Sequence, residues 1–161
     1  MALNAYLRLR GTTQGDIKGS VTQTGREDSI MVIAVSHELG TAIDHRGRPT
    51  GKRQHRPIVL TKEVDRATPM LYTALVNNER MASWRLEFWQ PSRSGREVQH
   101  YTIDLIGARL IDVKLEMLDN KRPENMSLKE REHLTFTYDK IAWTWVDGGI
   151  SAEDDWEAPN A

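Results

Sequence analysis

Histidines and carboxylates are the side chains of this sequence that could carry acid–base or metal chemistry, because the chain has no cysteine. Histidine occurs at positions 37, 45, 55, 100 and 133. His37-Glu38 begins like a zinc-peptidase motif, but Thr41 stands where that motif needs its second histidine. Spacing singles out no carboxylate pair for glycoside hydrolysis among the 23 acidic residues. We therefore expect that the protein is not an enzyme and that it has no catalytic residue, cofactor or metal.

A glycine-rich stretch, Gly47 to Arg53, shares some features with a phosphate-binding loop. It has three residues between Gly47 and Gly51 where the motif has four, and Arg53 stands where the motif has serine or threonine. A formal net charge of -1 is also unlike the basic excess of a nucleic-acid binder. We expect neither a nucleotide site nor a nucleic-acid partner.

Two segments of opposite charge stand out from this near-neutral background. The basic segment, within an extended loop predicted at 40–56, contains Arg46, Arg48, Lys52, Arg53 and Arg56. The acidic segment, 147–161, contains Asp147, Glu153, Asp154 and Asp155. Two interpretations stay open: solvated charged segments, or complementary contact surfaces through which one copy of the chain meets another. Contacts of the second kind steer assembly and fix its register more than they add affinity.

Two tryptophans lie beside the acidic segment. Trp145 and Trp156 flank a Gly-Gly turn, and aromatic residues in such places often anchor interfaces. Packing against the core of the same chain is the commoner alternative. We keep both residues as candidates for interface aromatics.

The elements that must position these residues are mostly β-strands, because apolar and polar residues alternate over much of the chain. The apolar run 30–35 predicts a strand covered on both faces. In the last predicted strand, the apolar residues change from even to odd positions between Tyr138 and Ile141. This change predicts either a β-bulge at Asp139–Lys140 or a strand that packs against two partners, with one face in the core and the other against a neighbour. Thr68 as N-cap and Pro69 after it begin the one credible helix.

The length of 161 residues fits a single domain, 1–161. Regular strand spacing with a single helix predicts a mainly β fold, a β-barrel of two packed sheets with one short flanking α-helix. No apolar stretch approaches the roughly 20 residues that span a bilayer, so we expect no membrane insertion. The first ten residues lack the basic and apolar regions of a secretory signal peptide.

Three segments in order resemble a known family. They are DIKGSV at 16–21, LTKEVDRATPML at 60–71 and LTFTYDKIAWTW at 134–145. The chain is similar over 6–156 to the hemolysin-coregulated protein (Hcp) family, the tube protein of bacterial type VI secretion. The resemblance implies homo-hexameric rings that stack head-to-tail into a tube, with a sheath, a spike and small effectors as partners. It implies that the rings hold and protect effectors in their lumen.

The resemblance also assigns places and roles to residues. The family's extended stacking loop falls on the basic segment, and Ser36 and His37, at the end of the apolar run, are candidates for facing the lumen. The protein would stay in the cytoplasm before firing and then be secreted without a cleaved signal peptide. The alternative is a monomeric β-barrel module that binds a carbohydrate or peptide on exposed aromatics such as Trp89 or Trp156.

Overall fold

The computed structural model describes residues 2–157, and the last four residues of the predicted acidic segment lie outside this range. Thirteen strands and one α-helix are formed within it, in agreement with a mainly β fold. The strands in the first half are β1 (Ala5–Gly11), β2 (Gly15–Ile17), β3 (Ile30–Val32), β4 (Ala34–Ser36), β5 (Leu39–Ile43), β6 (Pro49–His55) and β7 (Ile58–Glu63). Those in the second half are β8 (Met81–Pro91), β9 (Glu97–Ile106), β10 (Arg109–Glu116), β11 (Arg131–Thr137), β12 (Lys140–Trp145) and β13 (Ile150–Asp155).

The strands form two large sheets and a separate hairpin. The first sheet has seven strands in the order β13-β12-β9-β8-β1-β2, with β3 beside the other half of β1. The second sheet has four strands in the order β10-β11-β7-β4, and β5 pairs only with β6. The prediction of two packed sheets with one flanking helix is confirmed, although the chain crosses between the sheets and no continuous ladder closes them into a barrel within residues 2–157.

The core lies between the two sheets and follows from the period of two along each strand. Leu7 and Leu9 of β1 and Leu86 of β8 contribute from the first sheet, while Leu60 and Phe136 contribute from the second. Each of these side chains is buried, so the alternation read from the sequence correctly identifies the inward face. Burial of such side chains supplies the main stabilising free energy of the fold.

The apolar run 30–35 is not one strand covered on both faces. Residues 30–32 form β3 beside β1 in the first sheet, and β4 begins at Ala34 beside β7 in the second. Ile30 and Val32 are buried, whereas Met31 and Ile33 are both exposed in the single chain. The run is apolar because it crosses between the sheets along the core.

The change in the parity of the inward-facing residues near residue 139 also arises because the chain crosses between the two sheets. β11 pairs with β7 and β10 in the second sheet, whereas β12 pairs with β9 and β13 in the first. The predicted bulge at Asp139–Lys140 is therefore wrong, because the chain changes sheets there instead. Tyr138 lies at this crossing and is buried.

The α-helix, α1, spans Thr68–Val76 and packs against the core through Leu71 and Ala74. Its N-cap is Ala67 rather than the predicted Thr68. The backbone N–H of Ala67 donates to the Asp65 carboxylate, which supports the turn into the helix. The helix ends at Val76 with Asn77 as its C-cap, and Asn78 has a φ of 50°, in the left-handed region that asparagine tolerates.

Candidate assembly surfaces

The predicted extended loop at 40–56 is a β-hairpin, which we call the basic hairpin (β5, β6 and their turn). Its two strands pair with each other and with no other strand of the described chain. The turn is built by Asp44, whose carboxylate accepts hydrogen bonds from the backbone N–H groups of Arg46 and Arg48 at 2.8 and 2.9 Å. Gly47 supplies the positive φ of 76° that the turn requires.

The predicted stacking residues divide into two groups. Arg46, Arg48 and Lys52 are exposed, and none of them has an ion pair among the described residues. Arg53 forms an ion pair with Asp154, and Arg56 lies 3.6 Å from the Glu38 carboxylate. The first group is available to a second molecule, while the second group binds the hairpin to its own chain.

The predicted acidic surface also divides. Asp154 contacts both Arg53 and His55 of the basic hairpin, so part of the charge complementarity is satisfied within one chain. Glu153 pairs with Lys140 at 2.8 Å on the neighbouring strand. Asp147 and Asp155 are exposed, in the turn after β12 and at the end of β13.

Four side chains meet at the base of the basic hairpin, and we call them the hairpin-base cluster: His37, His55, Tyr138 and Asp154. The Tyr138 hydroxyl lies 2.9 Å from His37 Nε2 and 2.8 Å from His55 Nδ1. On its other side, His55 Nε2 lies 2.6 Å from Asp154 Oδ2. The cluster joins segments that are about a hundred residues apart in sequence, and it contains His37, the candidate for facing the lumen.

Burial and neighbouring charges shift the pKa values in this cluster. Partial burial raises the pKa of Tyr138 to about 12, with a smaller contribution from the negative charge of Asp154. Burial and the nearby His55 lower the pKa of His37. Burial acts to raise the pKa of Asp154, but the hydrogen bond from His55 and the charge of Arg53 outweigh it, so that this pKa is lowered.

The candidate aromatic residues have different surroundings. Trp156 packs against the core and stacks on the His55 ring at 5.4 Å, so it contacts its own chain. Trp145 is 45% exposed, with its ring edge-on to His100 at 5.8 Å. Trp89, the other residue suggested as a ligand platform, carries the Arg26 guanidinium over its ring at 4.4 Å. Two of these three rings therefore have their faces occupied within the chain.

Apolar side chains are exposed at two strands that end their sheets. Ile150 of β13 is 69% exposed and lies opposite Trp145 in the register. Leu115 of β10 is 58% exposed, although it lies opposite the buried Glu132 on the inward-facing parity of its strand. Met117 follows it and is also exposed. Ser36, the second lumen candidate, is exposed at the end of β4.

Sequence reasoning missed Tyr138 as a member of this site. A signal was available, because Tyr138 lies at the one place where the inward phase of the last strand changes. Within residues 2–157 there is no group of three or more histidine and carboxylate side chains arranged to hold a metal ion. No helix in the same range has both the length and the apolar character needed to cross a bilayer.

The chain is thus a β-rich domain of two packed sheets with a separate charged hairpin and exposed apolar strand edges. The family model described as type VI secretion system effector, Hcp, matches residues 6–145. The chain is 37% identical to the major exported protein of Pseudomonas aeruginosa, over 100% of this chain and 99% of that protein. The chain therefore belongs to the Hcp family, which comprises secreted structural components of the type VI secretion tube.

Solved structures agree with this assignment. The chain superimposes on the Hcp1 protein of the E. coli EAEC 042 pathovar with a TM-score of 0.86 and 33% identity, over 96% of this chain and 99% of that one. The secreted protein Hcp3 of Pseudomonas aeruginosa gives a TM-score of 0.77 at 32% identity, over 96% and 99% of the two chains. The expected family and fold class are both confirmed.

Proposed function

We propose that the chain is a tube subunit that forms homo-hexameric rings, and that the rings stack head-to-tail through the basic hairpin. The observation that carries this proposal is the hairpin itself, a two-stranded sheet that is separate from the two large sheets. Arg46 and Arg48 in its turn and Lys52 on β6 are exposed, and they have no ion pair among the described residues. Charges placed in this way set the register between surfaces. Exposed acidic residues such as Asp147 and Asp155 are candidates for the surface that receives them.

Ring closure needs a second kind of contact. A closed ring of identical subunits uses heterologous interfaces, so each copy must present two different patches. Exposed apolar residues at the two sheet edges are candidates for these patches: Trp145 at the end of β12 with Ile150 of β13, and Leu115 of β10 with Met117 just after it. Burying them against a neighbour removes apolar area from water, at roughly 25 cal/mol per Å². Ser36 and His37 remain candidates for facing the lumen.

The wider role follows from family membership. The subunit would assemble in the cytoplasm with the type VI sheath and spike and be exported without a cleaved signal peptide. Small effectors would be carried in the ring lumen. In this role the chain is a structural component and has no catalytic step of its own.

Negative-stain electron microscopy with light scattering tests the assembly. We expect six-fold rings with an open pore and a mass six times the 18.4 kDa of the chain. Ile150→Lys and Leu115→Lys should each reduce rings to smaller species while leaving the circular dichroism spectrum unchanged, because each places a charge in an apolar interface. Lys114→Glu, a substitution of an exposed neighbour of Leu115, is the matched control. A wild-type chain that stays monomeric at high concentration would contradict the proposal.

A further inference from the structure

One hydroxyl group contacts the chain at both ends of the basic hairpin, where the hairpin meets the body of the protein. His37 lies two residues before β5, and His55 is the last residue of β6. Their ring nitrogens lie within hydrogen-bond distance of the Tyr138 hydroxyl, which also lies 3.3 Å from the carbonyl oxygen of Arg56. Because Tyr138 sits at the crossing between the two large sheets, the hydroxyl is fixed by the core. The hydroxyl is therefore one shared contact point for both ends of the hairpin, beside the ion pair between Arg53 and Asp154.

The hydrogen bonds of the cluster form a directed chain when both histidines are neutral. His55 donates its Nε2 proton to Asp154, which leaves Nδ1 as an acceptor for the Tyr138 hydroxyl. The Tyr138 oxygen then accepts the Nε2 proton of His37. The Arg56 carbonyl, at 3.3 Å, is a second and more distant acceptor for the Tyr138 hydroxyl proton.

The formal charges of the side chains around the cluster cancel when the histidines are neutral. The charged groups that face it are Arg53 from β6, Arg56 and Glu38 from the two ends of the hairpin, and Asp154 from β13. Two positive and two negative charges cancel. Protonating His37 adds one positive charge, and His37 forms no ion pair with a carboxylate among the described residues. Like charges in a half-buried site repel more strongly than they would in water.

We propose that Tyr138 is a positioning residue that holds the basic hairpin in its stacking orientation, and that protonation of His37 releases the hairpin. The effect on ring stacking rests on the proposed function, because the hairpin is the proposed stacking element. Release of the hairpin makes ring stacking weaker in acid than at neutral pH. The rings themselves close through apolar contacts elsewhere and are unaffected.

The sign of the pH effect follows from linkage. The pKa of His37 is lowered when the hairpin is docked, so the docked state binds protons less readily than the open state does. Docking is therefore favoured above the ordinary histidine pKa of about 6.5 and is lost progressively as the pH falls below it. The window lies between neutral pH and mild acid.

Amide hydrogen exchange of unstacked rings measures hairpin opening directly. We expect exchange of β5 and β6, corrected for the intrinsic effect of pH, to increase at least about threefold between pH 7.5 and 5.5. Strand β8, in the middle of the first sheet, should show no such increase and reports on global unfolding. In Tyr138→Phe, the hairpin should exchange faster than wild type already at pH 7.5 and should gain little further in acid.

Histidine variants separate titration from loss of structure. His37→Gln keeps a side-chain donor but does not titrate, so the acid-induced increase should shrink. His45→Gln is the matched control, because His45 lies in the hairpin turn and its side chain forms no hydrogen bond or ion pair among residues 2–157. In parallel, the NMR titration midpoint of His37 should lie below about 6.5 and rise in His55→Gln.

The outcomes distinguish this inference from the proposed function. Two results would overturn the positioning role of Tyr138, whether or not the rings stack. In the first, amide exchange of the hairpin does not change with pH. In the second, it changes equally in Tyr138→Phe and in wild type. If the hairpin opens in acid while electron microscopy shows tubes of unchanged length at pH 5.5, the positioning role stands and the stacking role of the hairpin fails.

Discussion

Two polar clusters connect distant parts of this chain, and they differ in charge and in burial. The hairpin-base cluster is partly exposed and joins titratable groups around one hydroxyl. The second, which we call the buried ion cluster, consists of Lys62, Asp65, Thr68 and Glu132. In it, Lys62 Nζ lies 2.6 Å from Glu132 Oε2, 3.1 Å from Asp65 Oδ1 and 3.2 Å from the Thr68 hydroxyl. Lys62 has no exposed surface at all.

The difference between the clusters concerns what each one holds in place. The buried ion cluster joins two paired strands, β7 and β11, to the start of α1, all of which belong to the body of the protein. The Thr68 hydroxyl donates to Glu132 and completes the set of contacts. The hairpin-base cluster holds one projecting element and contains a histidine, His37, whose pKa is lowered by burial and by the nearby His55. We infer that the first cluster specifies the fold, whereas the second sets the orientation of a surface.

Breaking the buried ion cluster should therefore have the largest effect on stability. Lys62→Met keeps most of the side-chain volume but leaves Glu132 as a buried charge whose Oε1 already has no hydrogen-bond partner among the described residues. We expect a loss of about 3–5 kcal/mol in the free energy of unfolding, measured by urea denaturation. Lys114→Met, on the exposed strand β10, is the control and should change it by less than about 0.5 kcal/mol.

A double substitution separates charge burial from packing at this site. Lys62→Met with Glu132→Leu removes both members of the pair and should recover most of the lost stability, because apolar pairs often replace buried ion pairs at little cost. If the double variant is as unstable as the single one, the cluster contributes through its hydrogen bonds to Thr68 and Asp65 instead.

The fold was largely predictable from sequence, but this cluster was not. Leu60 and Lys62 share one parity of β7, and Glu132 and Leu134 share one parity of β11, so the pattern already placed both charges on the inward face. What the sequence could not supply was the register, in which Lys62 lies directly opposite Glu132. The same contact explains the wrong N-cap, because the Thr68 hydroxyl accepts from Lys62 and from the Asp65 N–H instead of capping the helix.

The hairpin-base cluster was beyond sequence reasoning for a related reason. Its members come from four segments whose contact depends on both crossings between the sheets. The charge pattern left two interpretations open, solvated segments or complementary contact surfaces. The second interpretation assigned the contact to neighbouring copies, whereas the structure shows that Arg53 and Asp154 meet within one chain.

Removing the carboxylate of the hairpin-base cluster should have an intermediate effect. The pKa of Asp154 is lowered, so this group stabilises the docked hairpin above the ordinary aspartate pKa of about 3.9, and the contribution is lost as the pH falls below it. Asp154→Asn should therefore expose the hairpin to limited proteolysis at pH 7 without changing the urea midpoint of the protein. Asp147→Asn, in an exposed turn, is the matched control.

Proteolysis of the two variants at pH 3 sharpens this comparison. The difference between wild type and Asp154→Asn should then be smaller under an acid-active protease, because the contribution of the Asp154 charge declines as the pH falls below about 3.9. A difference of unchanged size at pH 3 would mean that the substitution acts through packing against Trp156 or His55 rather than through charge.

Substitutions at the tip of the hairpin should have the smallest effect on stability. They should have a large effect on assembly. Charge reversal of Arg46 and Arg48 to glutamate should leave the free energy of unfolding within about 0.5 kcal/mol of wild type, because both side chains are exposed. Both contribute backbone N–H groups to the Asp44 turn, and those groups survive the substitution. Electron microscopy should show intact rings and few tubes.

Arg53→Glu would be a poor choice for the same test, since it places a carboxylate against Asp154 and disturbs the base of the hairpin as well as its surface. The contrast is itself informative. If reversal at Arg46 and Arg48 leaves tube length unchanged while reversal at Arg53 shortens tubes, stacking depends on the orientation of the hairpin rather than on its charge. The hairpin-base cluster would then be the site that controls assembly, and the exposed arginines would be solvated charges, as one interpretation of their pattern allows.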